Sequence, residues 1–235
     1  EGAKEDAVSH VTLNVPEGKT IALVGPSGSG KTTLARLIPR FWDTTGGRVL
    51  VGGVDVRKMS PEELMKSVSF VFQNTRLFKT TILENVRYGS PDATLEEINR
   101  AIDLSQSREI LDRLPEGLDT LIGAEGTYLS GGEMQRIVLA RAILKDAPIV
   151  VLDEATAFAD PENEHLIRQA LTRLTRGKTV LMIAHRLTTV HHADSIVVMK
   201  EGAIVEEGTH DELMERNGTY RLMWDEYQRA VAWKL

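Results

Sequence analysis

The stretch that decides the fold is IALVGPSGSGKTTLARLI, residues 21–38, where an apolar run, a glycine-rich loop and a helical pattern follow one another. Residues 25–32 fit the pattern G-x-x-x-x-G-K-[ST], whose glycines let successive backbone N–H groups point at phosphate oxygens. The N-terminus of the following helix adds its dipole. The sequence therefore predicts a strand, a nucleotide-phosphate loop and a helix, with a glycine-rich turn that binds nothing as the alternative.

The loop defines a set of candidate ligands for ATP and Mg²⁺. Lys31 is placed to reach the β- and γ-phosphates, and the hydroxyl of Thr32 to bind Mg²⁺. The predicted nucleotide-binding residues are Gly25, Pro26, Ser27, Gly28, Ser29, Gly30, Lys31, Thr32 and Thr33.

Two carboxylates follow the apolar run 149–152, at the strand end where open α/β folds bind ligands. We expect Asp153 to hold Mg²⁺ through water, and Glu154 to polarise the attacking water as general base. The alternative is a pair of solvated acids that cap a buried strand. The phosphate loop upstream favours the catalytic interpretation.

The order of apolar runs predicts the organisation of the chain. Runs 68–72, 149–152 and 180–184 are apolar on both faces and separated by helical patterns, as buried parallel strands are. Residues 11–15 with 21–24, and 49–51 with 54–56, predict two hairpins near the N-terminus. Strand signals stop between residues 73 and 145, where helix starts are marked by the capping boxes 94–97 and 130–133. Further on, residues 195–199 and 204–206 predict a hairpin, and 209–212 another capping box.

The predicted fold is therefore α/β, with an N-terminal antiparallel β layer and an inserted α-helical subdomain. We expect a single domain over residues 1–235, with the core in 1–72 and 146–235 and the helical subdomain in 73–145.

Composition excludes several classes of protein. With 235 residues, 42% of them hydrophobic, the chain can bury one large core, and its apolar runs are shorter than the about 20 residues that cross a bilayer. No secretory signal is visible, which predicts exposure to the cytosol. The absence of cysteine, and six histidines without metal-ligand spacing, predict that any metal is bound by oxygen. The net charge of −6 argues against a nucleic-acid partner.

The sequence LSGGE at residues 129–133 adds a second phosphate-binding motif. Ser130 as helix N-cap, followed by two glycines, predicts an exposed anion-binding helix terminus, with an ordinary capped helix as the alternative. With these motifs the chain resembles, over essentially its full length, the nucleotide-binding domain of an ABC transporter, which has a P-loop NTPase (RecA-like) core. The resemblance implies a signature motif made of Leu129, Ser130, Gly131, Gly132 and Glu133.

In that family the signature of one domain closes over the γ-phosphate that is bound by the loop of another. The resemblance thus implies a partner domain, a second copy or a paralogue, that completes two sites. The resemblance implies that Gln73 contacts Mg²⁺ or the attacking water, and that it relays the state of the nucleotide to the membrane domain. His185 is implied to contact the γ-phosphate, and Asp160 to cross the dimer interface. Without the resemblance, Gln73 is a polar residue at a strand end, His185 is a structural histidine, and Asp160 is a helix N-cap.

Three departures from the family pattern bear on activity. Glu133 stands where glutamine is usual, and its carboxylate would weaken ATP binding unless it turns back onto its own helix. Residues 157–160 read AFAD where SALD is commoner, which puts the contacts across the dimer in doubt. Residues 1–7 hold no aromatic side chain to stack on adenine, and we expect that residue just before Glu1.

Residues 76–86 resemble exporter-type domains, in which this segment meets a coupling helix, and residues 120–126 resemble their cross-communicating loop. The resemblance implies a C-terminal ATPase domain of a half-transporter, fused behind membrane helices and placed at the cytoplasmic face of the membrane. The motif combination also resembles half-transporters associated with bacterial iron-siderophore uptake.

Three alternatives remain open. A DNA-repair or chromosome-organising ATPase of the same superfamily would insert a long coiled coil, and no heptad tract is present. A translation factor would carry two such domains joined by a basic linker. A small-molecule kinase with a phosphate loop would leave the serine-glycine signature and His185 unexplained.

Overall fold

The computed structural model describes residues 6–72, 76–123, 127–153, 161–184 and 187–232, without the side chains of residues 161, 162, 231 and 232. The strands are β1 (Thr20–Val24), β2 (Leu50–Val51), β3 (Val54–Asp55), β4 (Val68–Val71), β5 (Ile149–Asp153), β6 (Thr179–Ile183), β7 (Ser195–Lys200) and β8 (Ala203–Gly208). The α-helices are α1 (Lys31–Leu37), α2 (Pro61–Ser67), α3 (Ile82–Arg87), α4 (Leu95–Leu104), α5 (Arg108–Arg113), α6 (Gly131–Lys145), α7 (Pro161–Thr175), α8 (His210–Glu215) and α9 (Thr219–Ala232). Short 3₁₀ turns lie at Val56–Lys58, Gly117–Asp119 and Leu187–Thr189.

The chain divides into two compact units. The first consists of Glu1–Val68, Val151–Asp153 and Lys178–Leu235. The second consists of Ser69–Val150 and Glu154–Gly177. The second unit thus contains the segment 73–145 predicted as a helical subdomain, together with β4 after its first residue and the helix α7.

The first unit is built on a mainly parallel sheet with the strand order β5-β6-β1-β7-β8. Strand β1 pairs parallel to β6 on one edge and to β7 on the other, so that Ile21 lies opposite both Leu181 and Ser195. Strands β7 and β8 are antiparallel. Residues 21–24 are buried, as a strand covered on both faces requires.

One predicted hairpin is wrong. The turn before β1 does form, with the Lys19 N–H donating to the Pro16 carbonyl at 3.1 Å, but residues 11–15 form no strand. Both edges of β1 are taken by β6 and β7, which leaves no edge for a hairpin partner.

The other hairpins are confirmed. Strands β2 and β3 pair antiparallel, with Leu50 opposite Asp55, and end where Asp55 caps the following 3₁₀ turn. The hairpin of β7 and β8 is also confirmed, and so is the predicted α/β fold with a separate antiparallel layer.

The second unit has an apolar core of its own, and the helix starts predicted within it are confirmed. Helix α6 packs against α3, α4 and α7. The capping boxes at Thr94 and Ser130 each place the glutamate of the third helical position on the backbone N–H of the capping residue. The fully buried side chains in the core of the second unit include Ile82, Val86, Ile98, Ile102 and Ile137. None of the helices within the described residues combines the length and apolar character needed to span a bilayer.

A substitution in β1 tests the central position of this strand. Leu23 is fully buried, so we expect Leu23→Ala to lower the free energy of unfolding by about 2–5 kcal/mol. The matched control is Leu222→Ala on the exposed side of α9, with an expected change within about 0.5 kcal/mol. Chemical denaturation followed by circular dichroism measures both, and equal effects would contradict the placement of β1.

Candidate nucleotide-binding site

The inner side of the glycine-rich loop is packed so closely that it accepts only glycine. At Gly25, with φ 147°, a Cβ would lie 2.1 Å from the carbonyl oxygen of Met199. At Gly30, with φ 96°, a Cβ would lie 2.5 Å from the carbonyl oxygen of Ala7. These contacts and the positive φ angles fix the curl of the loop.

The outer side of the same loop is open. Pro26, Ser27 and Gly28 are exposed, and no atom lies within 4 Å of the position that a Cβ of Gly28 would take. Thr33 follows in the first turn of α1, where helix geometry leaves backbone N–H groups without an intrahelical acceptor. The loop therefore offers an accessible backbone concavity of the kind that binds anions.

Lys31 occupies the centre of the curl. Its side chain is only 4% exposed, and Nζ donates to the carbonyl oxygens of Gly25 at 2.8 Å and Pro26 at 2.9 Å. It also donates to Oγ of Ser29 at 3.2 Å. The positive charge of this ammonium would be attracted more strongly by anionic phosphate oxygens than by the neutral oxygens of Gly25, Pro26 and Ser29. The loop thus fits a phosphate group.

The predicted Mg²⁺ ligands that are described come together. Oγ1 of Thr32, in the first turn of α1, lies 3.5 Å from Oδ1 of Asp153 at the end of β5. Asp153 is 3% exposed. Magnesium prefers hard oxygen ligands of this kind, so the pair fits the cation.

Four predicted site residues lie outside the described residues. They are Gln73, Glu154, Asp160 and His185. Residues 124–126 of the predicted cross-communicating loop and residues 157–159 before Asp160 also lie outside them.

The signature motif begins α6 in the second unit. Ser130 and Gly131 are exposed, whereas Leu129 is buried in the core of that unit. A Cβ on Gly132 would lie 2.7 Å from Cβ and Cγ of Asn163 in α7. Gly132 therefore permits the close packing of α6 on α7, while no atom lies within 4 Å of a Cβ position on Gly131.

Glu133 turns back onto its own helix, which is the orientation that ATP binding was expected to require. One carboxylate oxygen accepts from the Ser130 N–H at 2.8 Å, and the other accepts from Arg113 Nη2 at 2.6 Å. The Glu133 N–H in turn donates to Oγ of Ser130 at 3.2 Å. Burial by itself raises the pKa of Glu133, but the Ser130 N–H and the Arg113 guanidinium outweigh it and hold this pKa below its usual value.

A cleft of about 370 Å³ lies beside this carboxylate and within the second unit. Its lining includes Arg113, Glu133 and the nearly buried Arg136, which donates to Glu109 at 2.8 Å. Sequence reasoning did not find Arg113 or Asn163. They reach α6 from the helices α5 and α7, and no spacing along the chain indicates that contact.

Comparison with known proteins places the chain in a family. A family model described as ABC transporter matches residues 8–157. The mycobactin import ATP-binding/permease protein IrtA of Mycolicibacterium thermoresistibile is 53% identical over 218 residues, which cover 93% of this chain and 24% of that protein. The ATP-dependent lipid A-core flippase of Vibrio vulnificus strain YJ016 is 48% identical over 221 residues, which cover 94% of this chain and 38% of that protein.

A solved structure supports the same family membership. A bacterial Atm1-family ABC exporter with ATP bound has a TM-score of 0.89 at 36% identity, over 96% of this chain and 39% of that chain. The chain therefore belongs to the ABC transporter family and has the P-loop ATPase fold of exporter-type members, as predicted. These two relatives are named as transport proteins, and neither is named as a DNA-repair protein or a translation factor. The chain spans 24% and 38% of the length of these two curated relatives.

The lowered pKa of Glu133 predicts a pH-dependent contribution to stability. Because the folded-state pKa lies below the unfolded value, the stabilisation is present above pH of about 4.5 and is lost as pH falls through the folded pKa. We expect Glu133→Gln to lower the free energy of unfolding by about 1 kcal/mol at pH 7. Denaturation of both proteins between pH 3 and pH 7 measures this, and a difference that grew as pH fell would contradict the assignment.

Proposed function

We propose that two copies of this chain, or this chain and a paralogue, bind two MgATP molecules at their interface. Each phosphate loop faces the signature of the other copy. Hydrolysis reopens the pair, and the cycle of closing and opening powers transport through a membrane domain. The observation that carries this proposal is the presence of two separate helix starts with glycine at the N-cap or in the first turn, at Lys31 and at Gly131, in different compact units. Because the phosphate loop before Lys31 is complete, the helix start at Gly131 is available for the nucleotide that is bound by another copy.

We assign the roles of the loop residues from their contacts. The curl between Gly25 and Gly30 presents backbone N–H groups to the phosphates. Lys31 exchanges its carbonyl acceptors for β- and γ-phosphate oxygens, and Thr33 adds its N–H at the helix start. Thr32 and Asp153, with Gln73, are proposed to hold Mg²⁺, which supplies positive charge beside the phosphate oxygens.

The predicted catalytic residues complete the proposal. Glu154 follows Asp153 at the end of β5 and is proposed to accept the proton of the attacking water. His185 is proposed to contact the γ-phosphate, and Gln73 to link the nucleotide to the membrane domain. Asp160 is proposed to contact the opposite copy.

The signature is proposed to act in trans through Ser130 and Gly131. Since Oγ of Ser130 accepts the Glu133 N–H, the hydroxyl retains its own hydrogen to donate to a phosphate oxygen. Gly131 adds exposed backbone without a side chain. The guanidinium of Arg113 balances the charge of Glu133, so that the helix start remains favourable to an anion.

The partner of this domain is proposed to be a membrane domain in the same protein. The matched relatives are named ATP-binding/permease proteins. In this chain, Phe78 and Tyr88 flank α3 with their rings 4.7 Å apart, and both are more than half exposed. Asn85 fixes the segment by hydrogen bonds to the backbone of Phe78, and Arg141 lies over the Phe78 ring. The fixed aromatic surface formed by Phe78 and Tyr88 is suited to contact a helix of the membrane domain at the cytoplasmic face of the membrane.

We propose that residues 1–235 form one ABC ATPase domain. Its α/β part and its helical part share one nucleotide cycle and carry complementary halves of two sites. Nucleic acid is not proposed as a partner, because the net charge is −6 and the relatives are transport proteins.

Substitution of the proposed base tests the mechanism. We expect Glu154→Gln to slow ATP hydrolysis by about 10²- to 10⁴-fold, the usual contribution of a general base, while leaving ATP binding intact. The variant should accumulate as an ATP-bound dimer in size-exclusion chromatography with MgATP. Glu96→Gln, an exposed change of the same kind in α4, should behave as wild type. Full hydrolysis by Glu154→Gln would remove this residue as the base.

The role of Arg113 is tested by ATP-driven dimerisation in the Glu154→Gln background. We expect Arg113→Met to raise the half-maximal ATP concentration about two- to fivefold, a modest change because this arginine is partly exposed. Adding Glu133→Gln should remove most of that increase, since the unbalanced charge is then gone. Arg100→Met, an exposed change in α4, is the control. The assignment fails if the double variant is no better than Arg113→Met alone.

A further inference from the structure

Three side chains of types that can bind metals meet in the first unit, away from the glycine-rich loop in sequence. They are His191 in the turn before β7, and His210 and Asp211 at the start of α8. One potential ligand atom of each lies within 4.8 Å of the others. The imidazole rings of His191 and His210 have their centroids 4.4 Å apart.

His210 is oriented by two aromatic neighbours from α9. Its Nδ1 lies 2.8 Å from the hydroxyl of Tyr220, which is fully buried, and its ring makes an edge contact with Trp224 at 4.7 Å. Histidines that bind metals commonly have one ring nitrogen fixed by such an outer hydrogen bond, which orients the other nitrogen toward the cation. The Tyr220 hydroxyl is placed to make such an outer contact to Nδ1.

The donor set indicates the class of cation. Two imidazole nitrogens and one carboxylate are ligands that Zn²⁺ and neighbouring transition metals prefer, whereas Mg²⁺ prefers oxygen. His191 and Asp211 are exposed, so their side chains can rotate to close the distances to a cation that binds at about 2.0–2.2 Å. Asp211 also offsets the unfavourable direction of the helix dipole for a cation at the start of α8.

We propose that His191, His210 and Asp211 form a site for one Zn²⁺ ion, with solvent completing the coordination. The bound ion would join the turn before β7 to α8 and, through Tyr220, to α9. Spacing along the chain could not indicate this site, because His191 and His210 are brought together only by the β7–β8 hairpin between them.

Calorimetric titration of the chain with Zn²⁺ tests the proposal, without nucleotide and with excess Mg²⁺ to occupy oxygen sites. We expect one Zn²⁺ per chain, with affinity reduced at least about tenfold in His191→Ala and in Asp211→Asn. His192→Ala is the matched control, because it removes an exposed histidine from the same turn and should leave the affinity unchanged. The proposal is overturned if the chain binds no Zn²⁺, or if all three variants bind it as wild type does.

The outer contact gives an independent test. Tyr220→Phe keeps the buried ring but removes the hydroxyl that holds His210, and should reduce Zn²⁺ affinity by about 10- to 100-fold. Zn²⁺ should raise the Tm of the wild type and of His192→Ala, but much less that of His191→Ala. A His192→Ala variant that loses Zn²⁺ as strongly as His191→Ala would contradict the assigned ligands.

Discussion

The close approach of Gly25 to the carbonyl oxygen of Met199 is the constraint on which the nucleotide site depends. A Cβ there would lie 2.1 Å from that oxygen, so the end of β7 supports the loop from below. The Gly202 N–H, in the turn after β7, adds a hydrogen bond to the Ser29 carbonyl at 3.2 Å. Because β1 and β7 are parallel neighbours, the sheet delivers this support at the point where β1 ends. The curl that results centres Lys31 and begins α1 beside Asp153.

At the signature motif, the constraint is the balance of the negative charge of Glu133. A helix start attracts anions through its dipole and its N–H groups, and a carboxylate in the first turn competes with that attraction. Here the carboxylate of Glu133 is engaged by the Ser130 N–H and by Arg113, so its charge is directed into the second unit. Gly132, which has no side chain, allows α6 to pack closely against Asn163 of α7. The motif departs from the family pattern in chemistry but retains an exposed serine and glycine.

Features set by neighbours along the chain could be predicted from the sequence, and features set by tertiary contacts could not. The phosphate loop, the cap at Ser130 and the strand end at Asp153 follow from local patterns. The turn before β1 was also correct, but its hairpin was wrong because β6 and β7, more than a hundred residues downstream, occupy both edges of β1. Arg113 reaches Glu133 from another helix, and His191 meets His210 across a hairpin. No periodicity encodes such pairs.

Complementation between two defective copies tests most directly the central claim that the loop and the signature complete each other's sites in trans. Lys31→Ala removes the central ammonium, and Gly131→Asp places a carboxylate at an exposed helix start where no atom lies within 4 Å of the added Cβ. Each variant alone should hydrolyse ATP only marginally. An equal mixture should recover about a quarter of the wild-type rate, since half of the dimers are mixed and each mixed dimer keeps one intact site. A mixture no more active than its components, or a fully active Gly131→Asp variant, would contradict the account.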